Sequence, residues 1–173
     1  ASVAGKLAMA LHASDFLKEA AVCYRRAQVL DPKDFRWGYY LGVVQGTLGE
    51  CDAAAGALRE ALRLNPDHLP AQLKLGGCLL ASGKWQEAVQ VYGGVLREHP
   101  DNAEAHYGLG RAQAARKDLA RAVESFRKAS EIFPNYGAAH YALAQAYKRL
   151  GEMDQAVEHL NLFQKAKTSA PDL

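Results

Sequence analysis

The residues of this chain that could do chemistry on their own are few, and their spacings match no catalytic or metal-binding motif. The three cysteines, Cys23, Cys51 and Cys78, stand at unrelated spacings, so they form neither a zinc pattern nor a disulfide framework. The six histidines contain no His-Glu-x-x-His pattern of the kind that binds zinc on a helix. We therefore predict no catalytic residue, no metal site and no cofactor.

Two glycine-rich stretches resemble nucleotide-binding loops only superficially. In GGCLLASGKW, the interval from Gly77 to Gly83 is one residue too long for a phosphate loop. Trp85 also stands where such a loop needs a serine or threonine to bind magnesium. The GLG at 108–110 lacks the third glycine of a dinucleotide site. Both stretches instead belong to a pattern that repeats along the whole chain.

That pattern is marked by four prolines, Pro32, Pro66, Pro100 and Pro134, which are spaced 34 residues apart without drift. A fixed period of this length is typical of repeat architectures and outweighs any local reading of the sequence. With the proline at position 32, the repeats are residues 1–34, 35–68, 69–102, 103–136 and a terminal repeat, 137–167. Residues 168–173 are left as a tail. We expect all repeats to form one continuous domain.

Each repeat is predicted to contain two helices. Leucine occupies position 7 and alanine position 20 in every repeat, and position 8 is always glycine or alanine. Positions 4, 7, 8 and 11 form one apolar helical stripe, and positions 20, 24 and 27 form another. Between them, Gly49, Gly83 and Gly151 stand at position 15, where glycine tolerates the left-handed conformation of a helix end. The proline at position 32 then ends the second helix.

These columns resemble the tetratricopeptide repeat, and the resemblance covers essentially the whole chain. It implies an all-α fold, a right-handed α-solenoid of about five 34-residue helix-turn-helix units. One repeat cannot bury its apolar face alone, so neighbouring repeats stack into a continuous core. The sequence departs from the family at position 4, which lacks the family's tryptophan, and at position 11, where Gln45 and Gln113 are polar.

The resemblance also implies that positions 2, 5, 9, 12 and 13 of the first helices line a concave groove holding a segment of a partner protein. These positions lie away from the apolar stripe, since each residue turns a helix by about 100°. The candidate groove residues are Arg36, Tyr39, Val43, Leu73, Leu80, Glu104, Tyr107, Arg111, Tyr141, Gln145, Lys148 and Arg149. They combine tyrosines with late basic residues, which suits a peptide with apolar side chains and an acidic end near Arg111. In the competing interpretation, the tyrosines support neighbouring repeats and the cations are merely solvated.

The preferred functional interpretation is a non-enzymatic scaffold or adaptor that binds proteins. A regulatory or substrate-recruiting domain of a larger enzyme stays open, because the chain begins at Ala1 without Met and is expected to be a processed or excised product. RNA binding by helical repeats is a weaker alternative, since the groove is not uniformly basic. A net charge of +2 also gives no reason to expect a nucleic-acid partner.

The sequence contains no apolar run near the roughly 20 residues that cross a bilayer, so we expect no membrane insertion. Repeat arrays with apolar ends tend to associate. We therefore expect self-association through the solenoid ends, at Leu162 and Phe163 or at repeat 1. The odd number of cysteines favours a cytoplasmic location, while a periplasmic or secreted one stays open because of the missing Met.

Overall fold

Ten α-helices follow one another along the part of the chain that the structure describes, and that part contains no strand. This computed structural model describes residues 3–168. The helices are α1 (Val3–Ala13), α2 (Leu17–Leu30), α3 (Phe35–Thr47), α4 (Cys51–Leu64), α5 (Leu69–Ala81), α6 (Trp85–Glu98), α7 (Ala103–Ala115), α8 (Leu119–Ile132), α9 (Gly137–Leu150) and α10 (Met153–Thr168). Each repeat therefore has two helices, as predicted.

The contacts divide the chain into two compact units, Ala1–Lys84 and Trp85–Leu173, called here the N-terminal half and the C-terminal half. The N-terminal half contains α1 to α5, and the C-terminal half contains α6 to α10. That the five repeats form one continuous domain stays a prediction. In the terminal repeat, α10 ends at Thr168, the first residue of the predicted tail, and residues 169–173 lie outside the described residues.

The turn between the two helices of a repeat has the same backbone geometry in all five repeats. The residue at position 15 has a positive φ of 62° at Asp15, 79° at Gly49, 73° at Gly83, 66° at Lys117 and 84° at Gly151. The next amide donates to the carbonyl at position 11, at 2.8 Å in repeats 2 and 3. This pattern is a Schellman motif. The three glycines were predicted there; Asp15 and Lys117 adopt the same geometry at a steric cost of about 1–2 kcal/mol each.

The side chain at position 4 ties a repeat to the proline that ends the preceding one. The amide Nε2 of Gln72 donates to the Pro66 carbonyl at 2.9 Å. The ring Nε2 atoms of His106 and His140 lie 2.8 Å from the carbonyls of Pro100 and Pro134. A carbonyl can only accept, so both histidines donate there. Both histidines therefore link a repeat to the one that precedes it.

Large side chains of the core are accommodated where the facing helix has a glycine. A Cβ placed on Gly42 would lie 2.5 Å from Cγ of Leu58, and one on Gly110 would lie 2.6 Å from Cδ1 of Phe126. Both glycines occupy position 8, which is glycine or alanine in every repeat. A side chain at either position would overlap its neighbour, so these sites tolerate only small residues.

The sequence pattern missed two core columns, positions 3 and 10. Their buried members are Trp37, Val44, Ala71, Cys78, Ala105, Ala112, Ala139 and Ala146. These positions extend the buried stripe of the first helix to the side that faces the preceding repeat. The first helix of a repeat therefore packs against two neighbouring helices. The predicted stripe at positions 4, 7, 8 and 11 did not include the positions that face the preceding repeat.

Two predictions about core residues at the ends of the array are wrong. Leu7 and Leu160 belong to the predicted core columns, yet they are 52% and 38% exposed, because no described helix lies beyond them. Phe163, at which self-association was expected, is half-buried. Its ring packs against Tyr141 at 5.3 Å between centroids and lies over Gly137. The exposed apolar residues of α10 are instead Met153, Val157 and Leu160.

The polar residues predicted at position 11 differ in how well they are satisfied. Gln113 accepts a hydrogen bond of 2.7 Å from the Ser125 hydroxyl, which stands at position 23 of the same repeat. Repeat 2 has Ala57 at position 23, so no hydroxyl is available to Gln45. Accordingly, Gln45 is buried and its Oε1 has no hydrogen-bond partner among the described residues. A buried acceptor without a partner costs about 1–3 kcal/mol.

We predict that Gln45→Leu raises the free energy of unfolding by about 1–2 kcal/mol, because it replaces an unsatisfied acceptor by an apolar group of similar size. Gln113→Leu is the matched control and should lower stability by about 1 kcal/mol, since it leaves the Ser125 hydroxyl without its acceptor. Urea unfolding of both variants and the parent would measure the difference. A loss of stability in Gln45→Leu equal to that in Gln113→Leu would contradict the assignment.

Candidate functional site

The groove residues predicted in the N-terminal half lie on α3 and α5, and two of them already have internal partners. Arg36 donates from Nε to Asp34 Oδ1 at 2.9 Å, and Asp34 caps α3 by accepting from the Arg36 amide. The hydrogen bond from the Arg36 side chain lowers the pKa of Asp34. The Tyr39 ring is half-buried between Tyr40 and His68, at centroid distances of 5.3 and 4.6 Å. Val43, Leu73 and Leu80 are half-buried.

His68 is the residue that holds this aromatic cluster against α5. Its ring lies 4.9 Å from Phe35 and 4.6 Å from Tyr39. Its Nδ1 accepts from the Ala71 amide at 3.2 Å and so caps the first turn of α5. Burial lowers the pKa of His68, and the capping bond requires Nδ1 to be unprotonated. This role is not evident from the sequence, because position 34 lies outside both apolar stripes.

In the C-terminal half, three predicted residues line one open cleft of about 200 Å³, called here the α7–α9 cleft. They are Arg111 on α7 and Gln145 and Arg149 on α9. The rest of the lining consists of Ala114, Leu119, Phe126, Ala142 and Ala146. The polar members are residues that were selected by their helix-wheel positions. The apolar members were missed, because Phe126 and Leu119 come from α8, which the sequence analysis assigned only to the core.

The guanidinium of Arg111 is held by a group of aromatic rings beside the cleft. Its Cζ lies 5.8 Å from the centroid of Tyr107, within cation–π range. Tyr107 in turn packs against Phe126 at 5.8 Å and Tyr136 at 5.2 Å. Each contact restricts the rotamers of its neighbour. Arg111 is therefore partly preorganised at the rim of the cleft, although it is exposed.

Tyr136, which was not among the predicted groove residues, belongs to this group because its ring packs against Tyr107. Burial raises the pKa of Tyr136, and the nearby Tyr107 and Glu104 raise it further, while Arg111 opposes them. The predicted residues Glu104, Tyr107 and Arg111 therefore all influence the pKa of Tyr136. Tyr136 stands at position 34, the same position as His68, just before α9. The other residues at position 34 are Asp34 and Asn102, so no repeated aromatic column pointed to Tyr136.

The remaining predicted residues of the C-terminal half, Tyr141 and Lys148, are exposed and do not line the α7–α9 cleft. Tyr141 is 47% exposed and rests one face on Phe163. Lys148 lies in the last turn of α9, next to Arg149. The C-terminal half thus separates its predicted residues into a cleft group and an outer group.

The electrostatics of the α7–α9 cleft favour an anionic group above an apolar floor. Within residues 3–168, no carboxylate lies at ion-pair distance from Arg111 or Arg149. By contrast, Arg121 of the same half pairs with Asp118 at 3.6 Å. Guanidinium groups bind carboxylates through paired hydrogen bonds, and an apolar floor accepts a hydrophobic side chain. The geometry can therefore hold an apolar residue close to a carboxylate.

The chemically reactive residues stay outside this cleft. Burial raises the pKa of Cys78 to about 11, with Cys51 contributing, so this thiol is protonated at neutral pH. Cys23 and Cys51 are half-buried. The described residues contain no cluster of three or more His, Cys, Asp or Glu side chains suited to a metal. None of the helices in residues 3–168 has the length and apolar character needed to span a membrane.

Comparison with known families and structures identifies the fold of the chain. One family model described as "Tetratricopeptide repeat" matches residues 79–137, and another with the same description matches residues 48–106 and 113–171. A comparison with curated proteins finds no match.

Solved structures similar to this chain include MamA 41-end from Desulfovibrio magneticus RS-1. The two are 23% identical over 99% of each chain, with a TM-score of 0.89. A second crystal structure of MamA is 20% identical over 97% of this chain and 96% of that chain, with a TM-score of 0.86. At these identities the likeness concerns the fold alone. It confirms the predicted all-α solenoid class.

We predict that replacing the titratable cap His68 by Asn weakens the acid sensitivity of folding. The folded-state pKa of His68 is lowered, whereas an unfolded histidine titrates near about 6.5. As pH falls below that value, the unfolded chain binds the proton first, so stability is lost until the folded chain also binds it. Asn caps a helix without titrating.

Unfolding free energies from urea titrations at pH 7 and pH 5 would test this prediction. The parent protein should lose more stability between the two pH values than His68→Asn does. Titrations in the C-terminal half are common to both proteins and cancel in the comparison. Equal losses would mean that His68 does not act as a neutral cap.

Proposed function

The chain belongs to the tetratricopeptide repeat family of protein-interaction modules, and from that premise we propose that its α7–α9 cleft holds a short segment of a partner protein. The segment places an apolar side chain on the floor formed by Phe126, Leu119 and neighbouring alanines. A carboxylate of the segment, from Asp, Glu or a chain terminus, binds Arg111 and Arg149. The protein acts in this proposal as a scaffold or adaptor.

The observation that carries the proposal is the pair of arginines without carboxylate partners at the rim of an apolar cleft. Solvated helix surfaces commonly pair their charges, as Arg127 and Lys128 do with Glu131 on α8. Arg111 is also held against the Tyr107 ring, so binding an anion costs it less side-chain entropy than a free arginine would lose. The apolar floor supplies the hydrophobic contribution, and the arginines supply orientation and specificity.

The other groove residues take part in this proposal within their own halves. Tyr107 supports Arg111 and itself packs against Tyr136. Glu104 lies in the first turn of α7, and Gln145 offers an amide to the backbone of the bound segment. Tyr141 and Lys148 extend the surface beyond the cleft. In the N-terminal half, Val43, Leu73 and Leu80 form an apolar contact surface with the exposed edge of Tyr39, and Arg36 remains in its pair with Asp34.

A role as the regulatory or substrate-recruiting part of a larger enzyme would use this same surface, so it differs in context and not in chemistry. RNA binding is less well supported. Two arginines above an apolar floor do not form the row of phosphate contacts that gives nucleic-acid binding its affinity. The apolar floor also contains only one aromatic ring, Phe126, whereas single-stranded RNA is usually held by several stacking rings.

We predict that the isolated protein selects, from a displayed library of random peptides, sequences with an apolar residue next to Asp or Glu. Arg111→Ala and Arg149→Ala should each weaken binding of a selected peptide about 10- to 100-fold, because each removes a charge-assisted hydrogen bond worth about 1.5–3 kcal/mol. Fluorescence anisotropy at fixed salt would measure the dissociation constants.

Arg121→Ala is the matched control, since it removes an exposed arginine of the same half that is paired with Asp118 and does not line the cleft. Its dissociation constant should change less than about twofold. Selection of basic peptides, or unchanged affinity in both cleft variants, would exclude the cleft as the binding site.

A second proposal, supported by a separate observation, is self-association through the exposed stripe of α10. Met153, Val157 and Leu160 are 55%, 54% and 38% exposed and stand at positions 17, 21 and 24. In α2 and α8 the residues at position 24, Tyr24 and Phe126, are buried. An apolar helix stripe of this kind binds another helix well, and we propose that a second copy of the chain covers it.

We predict that the average mass in light scattering rises with protein concentration and that Val157→Glu suppresses the rise, because it places a charge in the middle of the stripe. Val29→Glu is the matched control, since Val29 is a 71% exposed valine on α2 outside the proposed contact. A concentration-independent monomer mass for the parent protein would refute self-association.

A further inference from the structure

Two histidines of the terminal repeat meet in the core between α9 and α10. The Nδ1 atoms of His140 and His159 lie 3.1 Å apart, and the two rings stack at 5.4 Å between centroids. His140 is buried, and His159 is half-buried beneath the ring of Tyr147, 5.6 Å away. This contact joins the last two helices of the described chain.

The hydrogen-bond partners of His140 assign the protons of the pair. Its Nε2 lies 2.8 Å from the Pro134 carbonyl, which only accepts, so Nε2 carries a proton. Neutral His140 therefore has a bare Nδ1, which accepts the proton on Nδ1 of His159. His159 then keeps a bare Nε2. In this arrangement both rings are neutral and every polar contact joins a donor to an acceptor.

While the hydrogen bond between the rings is intact, the pair can bind one additional proton but not two. A proton on Nε2 of His159 leaves the bond to His140 intact. A second proton has to go to Nδ1 of His140, and two N–H groups then point at each other across the same 3.1 Å gap. Two positive charges at this distance in a buried site repel strongly. Losing the bond also leaves both helices without their polar contact.

The surroundings of the pair offer little compensation for positive charge. Burial lowers the pKa of His159, and His140 lowers it further, while Glu158 on the exposed side of α10 opposes them. Around the adjacent Tyr147, Glu152 of the α9–α10 turn and Arg127 of α8 have opposite effects on the pKa of the tyrosine. Pro134 contributes only its carbonyl, which is already engaged.

We propose that the His140–His159 pair is an acid-sensitive latch that holds α10 against α9 and opens when both rings are protonated. Opening withdraws Phe163, whose ring supports Tyr141 and lies over Gly137. The latch therefore determines whether Phe163 stays in contact with Tyr141 and Gly137 in the first part of α9. This inference does not rest on the proposed binding of a peptide in the α7–α9 cleft.

The variant His140→Gln tests the latch with a residue type that the chain itself uses at position 4. Gln72 already donates from its amide to the carbonyl of Pro66, so the introduced glutamine is expected to keep the bond to Pro134. Its side-chain oxygen can also accept from Nδ1 of His159. The variant preserves both hydrogen bonds and removes one of the two titrating rings.

Hydrogen exchange of the α10 amides at pH 7 and pH 4.5, corrected for intrinsic exchange rates, provides the measurement. Protection of α10 in the parent protein should fall at least about tenfold more than in His140→Gln. A tenfold difference is expected when opening binds one additional proton over a change of about one pH unit. His159→Gln, a change at a half-buried site, should behave like His140→Gln. In His68→Asn, which alters only the N-terminal half, α10 should keep the response of the parent.

Nitrogen NMR of the imidazoles gives an independent readout. The proposal requires a proton on Nε2 of His140 and on Nδ1 of His159 at neutral pH, followed by two separate protonation steps. Equal acid responses of α10 in the parent protein and both glutamine variants would overturn it. So would the opposite tautomer at His140, or two histidines that titrate independently.

Discussion

The structure depends on packing large side chains of one helix against glycine or alanine on the facing helix. Leu58 and Phe126 fill the spaces left by Gly42 and Gly110, and alanine is fully buried at position 20 in repeats 1 to 4. Dense packing of this kind requires the two helices to approach closely, and close approach requires small residues on one side. A helix pair alone leaves its second face bare, so stacking of repeats follows from the same constraint.

Polar groups in this core are tolerated where the repeat supplies a partner. Position 4 donates to the preceding proline carbonyl in repeats 3, 4 and 5. Positions 11 and 23 pair as Gln113 with Ser125 and as Tyr147 with His159. Among the described residues, Nε1 of Trp37 and the Oε1 atoms of Gln45 and Gln72 are exceptions, because they are buried without a hydrogen-bond partner. The departures from the family pattern noted in the sequence thus have local structural explanations, and they leave the fold unchanged.

The binding cleft results from the same use of small residues. The buried columns occupy most of the first helix, so the remaining arc of α7 and α9 is free to carry Arg111, Gln145 and Arg149. Small residues on the same helices, Ala114, Ala142 and Ala146, leave room for the cleft between them. The aromatic rings nearby hold Arg111 at the rim. One packing rule thus accounts for both the core and the candidate site.

The sequence by itself determined the fold class, the helix pairs, the turns and the arc of each first helix that stays outside the core. These features are local or periodic, because one residue type at one phase of a helix has the same meaning in every repeat. Only the tertiary structure decided that Arg36 and Tyr39 have partners within their own half, that Tyr136 and Phe126 belong to the candidate site, and that His140 meets His159. The phase of a residue gives its direction from its own helix axis. The side chain that it contacts depends on the side-chain sizes of the neighbouring helix. Those contacts are defined only when the helices are packed together.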